Sequence, residues 1–330
     1  MLDPVIAAVR RAVRESLTPF ESSGATILVA LSGGADSLAL AAAAAFEGPR
    51  LGLDVRAVTA DHGLQSGSAE VAERAARQAN EVGVPDARVV RVDVGRDGGP
   101  EAAARDARYA ALRAAASDAG AVAVLVGHTL DDQAETVLLG LSRGSGAASL
   151  QGMSPHLIDE RGLAWIRPLL DIRRAETRAF CTASGLEAWS DPHNGDERFA
   201  RVRVRERVLP VLEAEIGPGI AEALARTAEQ LREDNEAFAD MIDEIIEDIV
   251  EHAEAGIAVS AAALAANPPA LRGRIIRHVV QSEFGASLTR VHTLEVARLA
   301  TDWRGQGPID LPGCSATRVG GRIVFTARES

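Results

Sequence analysis

Ala25-Thr26-Ile27-Leu28-Val29-Ala30-Leu31 runs directly into Ser32-Gly33-Gly34-Ala35-Asp36-Ser37, and Leu38-Ala39-Leu40-Ala41-Ala42-Ala43-Ala44-Ala45 follows. The first run reads as a buried strand and the last as a helix. The small residues between them form the turn from a strand end to a helix start. Backbone N–H groups there lack partners, and the helix dipole favours an anion. Two glycines let the backbone approach that anion closely. A polyphosphate is the natural guest.

The chain contains no lysine, so all 35 basic residues are arginine. A phosphate loop of the Gly-Lys-Ser/Thr kind is excluded, as is a Schiff-base lysine. Phosphate must be held by backbone amides and hydroxyls, with a metal ion as one source of the missing positive charge.

Outward from this turn the first half alternates apolar runs with helical patterns. Strands are expected over Ala25–Leu31, Leu53–Ala60, Arg88–Val92 and Ala121–Val126, with helices over Ser37–Phe46, Ser68–Val82, Glu101–Ala119 and Asp131–Leu141. Such alternation implies an α/β fold with a parallel sheet covered on both faces, and ligands at the carboxyl ends of its strands. Beyond it, Leu163–Leu170 is expected to be extended and Arg173–Gly185 a short helix. Val202–Glu215 is expected to be helical, bent or broken at Pro210. Gly217-Pro218-Gly219 marks the expected domain boundary, separating 1–216 from a helical 217–330 with a small β element. In that second part Ile220–Ala255 reads as one or two long helices with an acidic face. Gly320-Gly321 signals a hairpin within Pro308–Thr326.

The net charge of −12 is unevenly spread. Between Val211 and Pro269 there are 14 acids against Arg226 and Arg232, so the rest of the chain is balanced. Ala270–Ser330 carries nine arginines against five acids, and Arg198, Arg201, Arg203, Arg205 and Arg207 form another basic cluster. Basic surfaces for nucleic acid are therefore available despite the overall sign, although the second cluster also reads as a solvated helix face. Cys181 and Cys314 form no CxxC, and residues 1–20 lack a signal-peptide pattern. No apolar run is long enough to cross a membrane. A cytosolic protein with free thiols is expected.

Further polar groups fall at the expected strand ends. Asp61 could orient a ribose or base edge, hold a metal, or form an Asx turn. Gly127-His128-Thr129-Leu130-Asp131-Asp132-Gln133-Ala134-Glu135-Thr136 sets a histidine and three carboxylates around a helix start, with Asp132 and Glu135 on one face. Arg105 and Arg108 are likewise three apart, and a forked guanidinium suits phosphate.

Taken in order, SGGADS (32–37), DHG (61–63), ARDARYAAL (104–112), GHTLDDQAET (127–136), RPLL (167–170), WSDPHN (189–194) and FARVRVRERVLP (199–210) resemble the bacterial tRNA(Ile)-lysidine synthases. The resemblance covers roughly residues 24–215. The chain departs from the family pattern at Thr129, where many relatives carry a second histidine, and at His193, where serine is usual. The resemblance implies a PP-loop catalytic domain in which ATP and Mg²⁺ activate the wobble cytidine of a tRNA(Ile) with a CAU anticodon. Free lysine then displaces AMP. On that reading Ser32, Gly33, Gly34, Ala35, Asp36, Ser37 and Asp61 bind ATP, and Asp36 is the candidate Mg²⁺ ligand. Arg105 or Arg108, with His128, stabilises the α-phosphate. Asp132 and Glu135 hold the lysine ammonium, and Arg201, Arg203 and Arg205 contact tRNA phosphate or the reacting nucleotide. The resemblance leaves room for a homodimer. The alternatives are another PP-loop tRNA modifier such as a thiolase, or a nucleotide-binding module without catalysis.

Overall fold

The computed structural model describes residues 3–61, 67–92, 100–144, 146–190, 195–253 and 256–328. His62 and Gly63 of the DHG motif, and Asp191-Pro192-His193-Asn194 with the His193 departure, lie outside the described residues. The chain divides into two compact units, Met1–Arg232 and Glu233–Ser330.

The first unit opens with α1 (Pro4–Leu17), an amphipathic helix capped by the Asp3 carboxylate that the sequence reading did not single out. Alternation of β1 (Thr26–Leu31), α2 (Ala35–Glu47), β2 (Asp54–Asp61), α3 (Ser68–Glu81), β3 (Arg88–Arg91), α4 (Pro100–Ala119), β4 (Ala121–Val126) and α5 (Leu130–Ser142) follows as expected. Next come the short α6 (Ala147–Leu150), then β5 (His156–Ile158), β6 (Ala164–Ile166) and α7 (Arg174–Ala183). The sheet order is β3-β2-β1-β4-β6-β5, parallel except for β5, an antiparallel edge strand absent from the sequence reading.

Strand alternation explains the two covered faces. Ile27, Val29 and Leu31 point into a core shared with α1, α2 and α7. Leu28, by contrast, packs with Val124, Leu112 of α4 and Trp165. The central strands β1, β2 and β4 are thus apolar on both sides, as a sheet buried between helices requires, while the edge strands β3 and β5 are largely exposed. β2 and β3 extend the sheet to one side of β1, and β4 returns on the other. The carboxyl ends of β1 and β4 therefore form the point where strand order reverses, the usual place for a ligand in such sheets.

Residues 200–215 do not break at Pro210. α8 (Ala200–Arg203) passes through a π-helical turn, Val204–Val208, into α9 (Leu209–Glu215). Pro210 has no N–H to donate to the carbonyl of Glu206, and a widened turn accommodates that loss. Gly217-Pro218-Gly219 does turn the chain, but contacts divide it further on, inside α10 (Ile220–Ile249).

The expected helix over Ile220–Ala255 is shorter than its acidic pattern suggested. It ends at Ile249, and β7 (Val250–Ala253) and β8 (Gly256–Ser260) form an antiparallel pair. A pattern of apolar pairs alternating with acids continues across the junction, so periodicity alone does not mark it. After α11 (Ala261–Ala266), α12 (Pro269–Phe284) and α13 (Arg290–Thr301) come β9 (Ile309–Leu311), β10 (Cys314–Val319) and β11 (Arg322–Ala327). The second sheet runs β7-β8-β11-β10-β9 and is antiparallel throughout. Its core joins Ile275, Ile276 and Val280 of α12, Val296 and Leu299 of α13, and Phe325 of β11. Among the described residues no helix is long and apolar enough to cross a membrane.

Candidate active site

The turn after β1 is built as its residue types require. Gly33 has φ +81°, a left-handed conformation natural to glycine, and a Cβ there would stand 3.2 Å from the Ala75 Cβ. The Gly33 carbonyl accepts the Trp189 N–H at 2.9 Å. Ser37 closes the loop from within. Its Oγ accepts the Ser32 N–H at 3.1 Å, donates to the Gly34 carbonyl at 3.0 Å and lies 3.0 Å from Ser32 Oγ. Gly34 has no side chain to cap α2. The amides of the first turn, beginning at Ala35, are left for an anion. The hydroxyls of Ser32 and Ser37 thus shape the loop.

The start of α5 lies against the start of α2. A Cβ on Gly127 would come within 3.1–3.2 Å of the Asp36 carbonyl group and the Ser37 nitrogen, a tight contact that would push the two turns apart by a few tenths of an ångström. Asp36 accepts a short hydrogen bond from Thr177 Oγ1 and lies 3.9 Å from Arg174 Nε. Burial raises its carboxyl above the usual range, and the Asp132 charge adds to that, against Thr177 and Arg174.

Around α5 an acid–guanidinium network fills the site. Asp132 Oδ2 accepts both the N–H and the hydroxyl of Thr129 at 2.9 Å, which is what threonine does at that departure from the family pattern. Asp132 Oδ1 lies 2.8 Å from Arg174 Nη2 and 3.6 Å from Arg205 Nη2. Burial alone would raise Asp132, but Arg174 and the Thr129 N–H hold it below its ordinary value. The Glu135 side chain is 0% exposed. Its Oε1 meets Arg174 at 3.2 Å and Arg205 at 2.7 Å, and its Oε2 meets Arg205 at 3.1 Å and Arg201 at 3.3 Å. Asp131 Oδ2 accepts the Arg174 N–H at 2.7 Å and so caps α7. Beside the network lies a cavity of ≈ 150 Å³, lined by Asp131, Glu135, Arg174, Arg205 and Glu213 among others.

A second cluster carries positive charge without matching acids. Arg108 is half-buried and makes no ion pair among the described residues. Burial lowers its guanidinium, as do Arg105 and Arg201. The Nδ1 of His128 is buried and unpartnered. Burial pushes this imidazole down to about 3; Asp132 opposes that shift, and Arg167, Arg108 and Arg201 add to it. His128 is therefore neutral at pH 7. Arg167 is buried, with Nη1 on the Ser154 carbonyl at 2.8 Å and its Nε unpartnered.

Residues 6–212 match the family model of the PP-loop domain, and residues 260–324 that of the TilS substrate binding domain, one in each compact unit. A tRNA(Ile)-lysidine synthase of Leifsonia xyli subsp. xyli is 59% identical over 303 residues, covering 92% of this chain and 90% of the relative. The chain belongs to the tRNA(Ile)-lysidine synthase family. Other lysidine synthases agree: that of Salinispora tropica is 50% identical over 316 residues (94% of this chain, 93% of the relative), and that of Thermobifida fusca 47% over 327 (98% and 98%). Among solved structures, U34-tRNA thiolase NcsA from Methanococcus maripaludis shares the fold, with TM-score 0.57 and 19% identity over 69% of this chain and 80% of that one.

Within this lysidine-synthase framework the structure sorts the residues singled out from sequence. Ser32–Ser37, Asp132 and Glu135 gather at the carboxyl ends of β1 and β4, with His128 between them in the chain. Of the two candidate arginines on α4, Arg108 is half-buried near His128, whereas Arg105 is exposed. Asp61 is buried at the end of β2. The arginine run splits. Arg201 and Arg205 turn inward to Glu135, and Arg201 also donates to Thr136 Oγ1 at 2.6 Å. Arg203 is exposed and, among the described residues, bonds the carbonyls of Glu197 and Arg198. Arg201 and Arg205 thus lie against the buried Glu135 carboxylate, and Arg203 lies at the surface. Each Glu135 oxygen meets a guanidinium, and Glu135 also lines the cavity. Arg174 and Arg167 carry no local signal in the sequence: the RPLL motif gives its arginine no role, and Arg173-Arg174 reads only as a helix start.

Proposed function

We propose that the chain is an ATP-dependent ligase that joins free lysine to C2 of the wobble cytidine in a tRNA(Ile) with a CAU anticodon. The reaction forms a carbon–nitrogen bond and yields lysidine, AMP and pyrophosphate through an adenylated cytidine. Family membership supports the reaction. The observation that carries it to these residues is the meeting of two turns at Gly127 and Asp36. It sets an amide-lined phosphate loop against an acid network with a cavity beside it.

In this reading the α2 amides hold the polyphosphate, and Ser32 and Ser37 keep the loop in shape. Arg108 faces the charge that develops at the α-phosphate as the cytidine O2 attacks and pyrophosphate leaves. Neutral His128 adds a hydrogen-bond donor there without adding charge. Lysine, as an amine of ordinary pKa ~10.4, must lose a proton before it attacks C2 and expels AMP. Asp132 is the acid placed to hold the ammonium and take that proton. Glu135 serves by fixing Arg174, Arg201 and Arg205 around it.

Among the described residues no cluster of three or more metal-ligating side chains forms a cage. Mg²⁺ characteristically binds one or two carboxylates together with phosphate oxygens, so the lone Asp36 carboxylate at the phosphate loop fits it. Mg²⁺ held there would neutralise the leaving pyrophosphate. Exposed Arg203, with the basic 270–330 segment, is proposed for tRNA phosphate, making binding fall with salt. Catalysis is assigned to 1–216 and tRNA binding to 217–330, in the cytoplasm where the substrates are.

The test is to incubate the protein with ATP, Mg²⁺, labelled lysine and a tRNA(Ile) transcript carrying CAU, using a methionine tRNA of the same anticodon as control. Pyrophosphate release with lysine incorporation into the isoleucine tRNA alone is expected. Pyrophosphate release without lysine transfer would refute lysine as the nucleophile.

A further inference from the structure

Arg174 opens α7, its backbone N–H fixed on Asp131 Oδ2. Its guanidinium reaches acids from two other elements. Nη2 lies 2.8 Å from Asp132 Oδ1, Nη1 and Nη2 each lie 3.2 Å from Glu135 Oε1, and Nε lies 3.9 Å from Asp36 Oδ2. The side chain is 14% exposed. Thr177, three residues along the same helix face, donates to the other Asp36 oxygen. The first turn of α7 thus grips the phosphate loop through Asp36 and α5 through Asp132.

Asp36 and Asp132 repel one another across a partly buried site. A cation between them offsets that repulsion. The planar fork hydrogen-bonds Asp132 and Glu135 and so fixes their direction, while it meets Asp36 as an ion pair at 3.9 Å beside the Thr177 hydrogen bond. Relative placement of two reactants is where small errors cost most, since a shift of about 1 Å can slow a reaction about a hundredfold. We propose that Arg174 is a positioning residue that ties the phosphate-loop acid Asp36 to the α5 acid Asp132, holding the nucleotide and the incoming amine in register. This rests on the roles assigned above to Asp36 and Asp132. Arg174 contacts neither substrate in this scheme and acts through the two carboxylates.

The experiment uses the full chain and two double-mutant cycles, with folding of each variant checked by thermal melting. Mg²⁺·ATP affinity is measured calorimetrically for Arg174→Gln, Asp36→Asn and the double variant. Lysine KM and kcat are measured for Arg174→Gln, Asp132→Asn and their double variant. Arg174→Gln is expected to weaken ATP about tenfold, and to raise lysine KM and lower kcat, each double variant losing no more than its worse single. Strict additivity in both cycles would overturn the proposal. Arg174→Lys keeps the charge without the fork and is expected to recover at most one of the two affinities. Full recovery of both would show that charge suffices and overturn the bridge. Should Arg174→Gln not fold, the same cycles are run on Arg174→Lys. If the wild-type chain makes no lysidine, the assigned reaction fails. The ATP cycle between Asp36 and Arg174 then still decides the bridge by itself.

Discussion

The two charged regions at the carboxyl ends of β1 and β4 are built in opposite ways. Around α5 every carboxylate oxygen of Glu135 already meets a guanidinium, and Asp132 is shared between Thr129, Arg174 and Arg205. Around His128, by contrast, Arg108 has no ion pair among the described residues, Arg167 leaves Nε unpartnered and the imidazole leaves Nδ1 unpartnered. A charge paired within the protein is satisfied before any ligand arrives. A half-buried guanidinium without an acid carries a cost of burial that an anionic guest removes. On the proposed reading, the saturated Glu135 in the first region is scaffold beside the acid Asp132, and the second region receives the anion.

If that contrast is right, the largest effect of any single change belongs to Glu135. Glu135→Ala leaves Arg174, Arg201 and Arg205 clustered without their shared carboxylate. Removing one partner of a buried ion pair costs about 3–5 kcal/mol, and partial exposure of the three arginines places this case near the lower end. The urea midpoint of the variant should fall accordingly. A midpoint within experimental scatter of the wild type would mean that the network is not scaffold.

Arg108→Ala should show the reverse pattern. Pyrophosphate release is expected to slow about 10²–10³-fold, the range for loss of one donor facing developing negative charge. Thermal stability should not fall, because no ion pair is broken. Arg105→Ala, on the exposed side of the same helix, should stay within about tenfold of wild type. A parallel loss of stability and rate in Arg108→Ala would make Arg108 structural and erase the contrast between the regions.

How much of this was legible in the chain follows from the distance over which each feature is encoded. The strand–turn–helix at Ala25–Ala45 is local, and its hydrophobic pattern and glycines suffice to place it. Asp132 and Glu135 are also local, being three apart on one helix. Their partners are not. Arg174 meets Asp36 across 138 positions of the chain and Glu135 across 39, and only the closed sheet brings them together. The basic run is legible only once it is read as a helix, because Arg201, Arg203 and Arg205 are evenly spaced in the string. On a helix Arg201 and Arg205 share a face and Arg203 does not. The junction of α10 with β7 was hidden because its acids and apolar residues satisfy helix and strand alike.

The smallest effect is a pH dependence that tests the neutrality of the second region. His128 has an ordinary imidazole pKa when unfolded, near 6.5, and burial pushes it down to about 3 in the native chain. Between those values the unfolded state binds a proton that the native state does not. His128 therefore lowers stability as pH falls through about 6.5 towards 3, by at most about 1.4 kcal/mol per pH unit. Asp132 has the opposite character. Its carboxyl is held below the usual range, so its contribution is lost only as the pH falls beneath about 3.9 and is nearly constant between about pH 7 and about pH 4.5. Comparing His128→Gln with wild type from about pH 7 to about pH 4.5 isolates the imidazole. The variant should gain on the wild type in urea midpoint as the solution is acidified. Parallel curves would show that native His128 takes up a proton as readily as the unfolded chain does. It would then join Arg108 and Arg167 as a third cation, and the phosphate would be held by charge where the neutral imidazole now offers a single directed hydrogen bond.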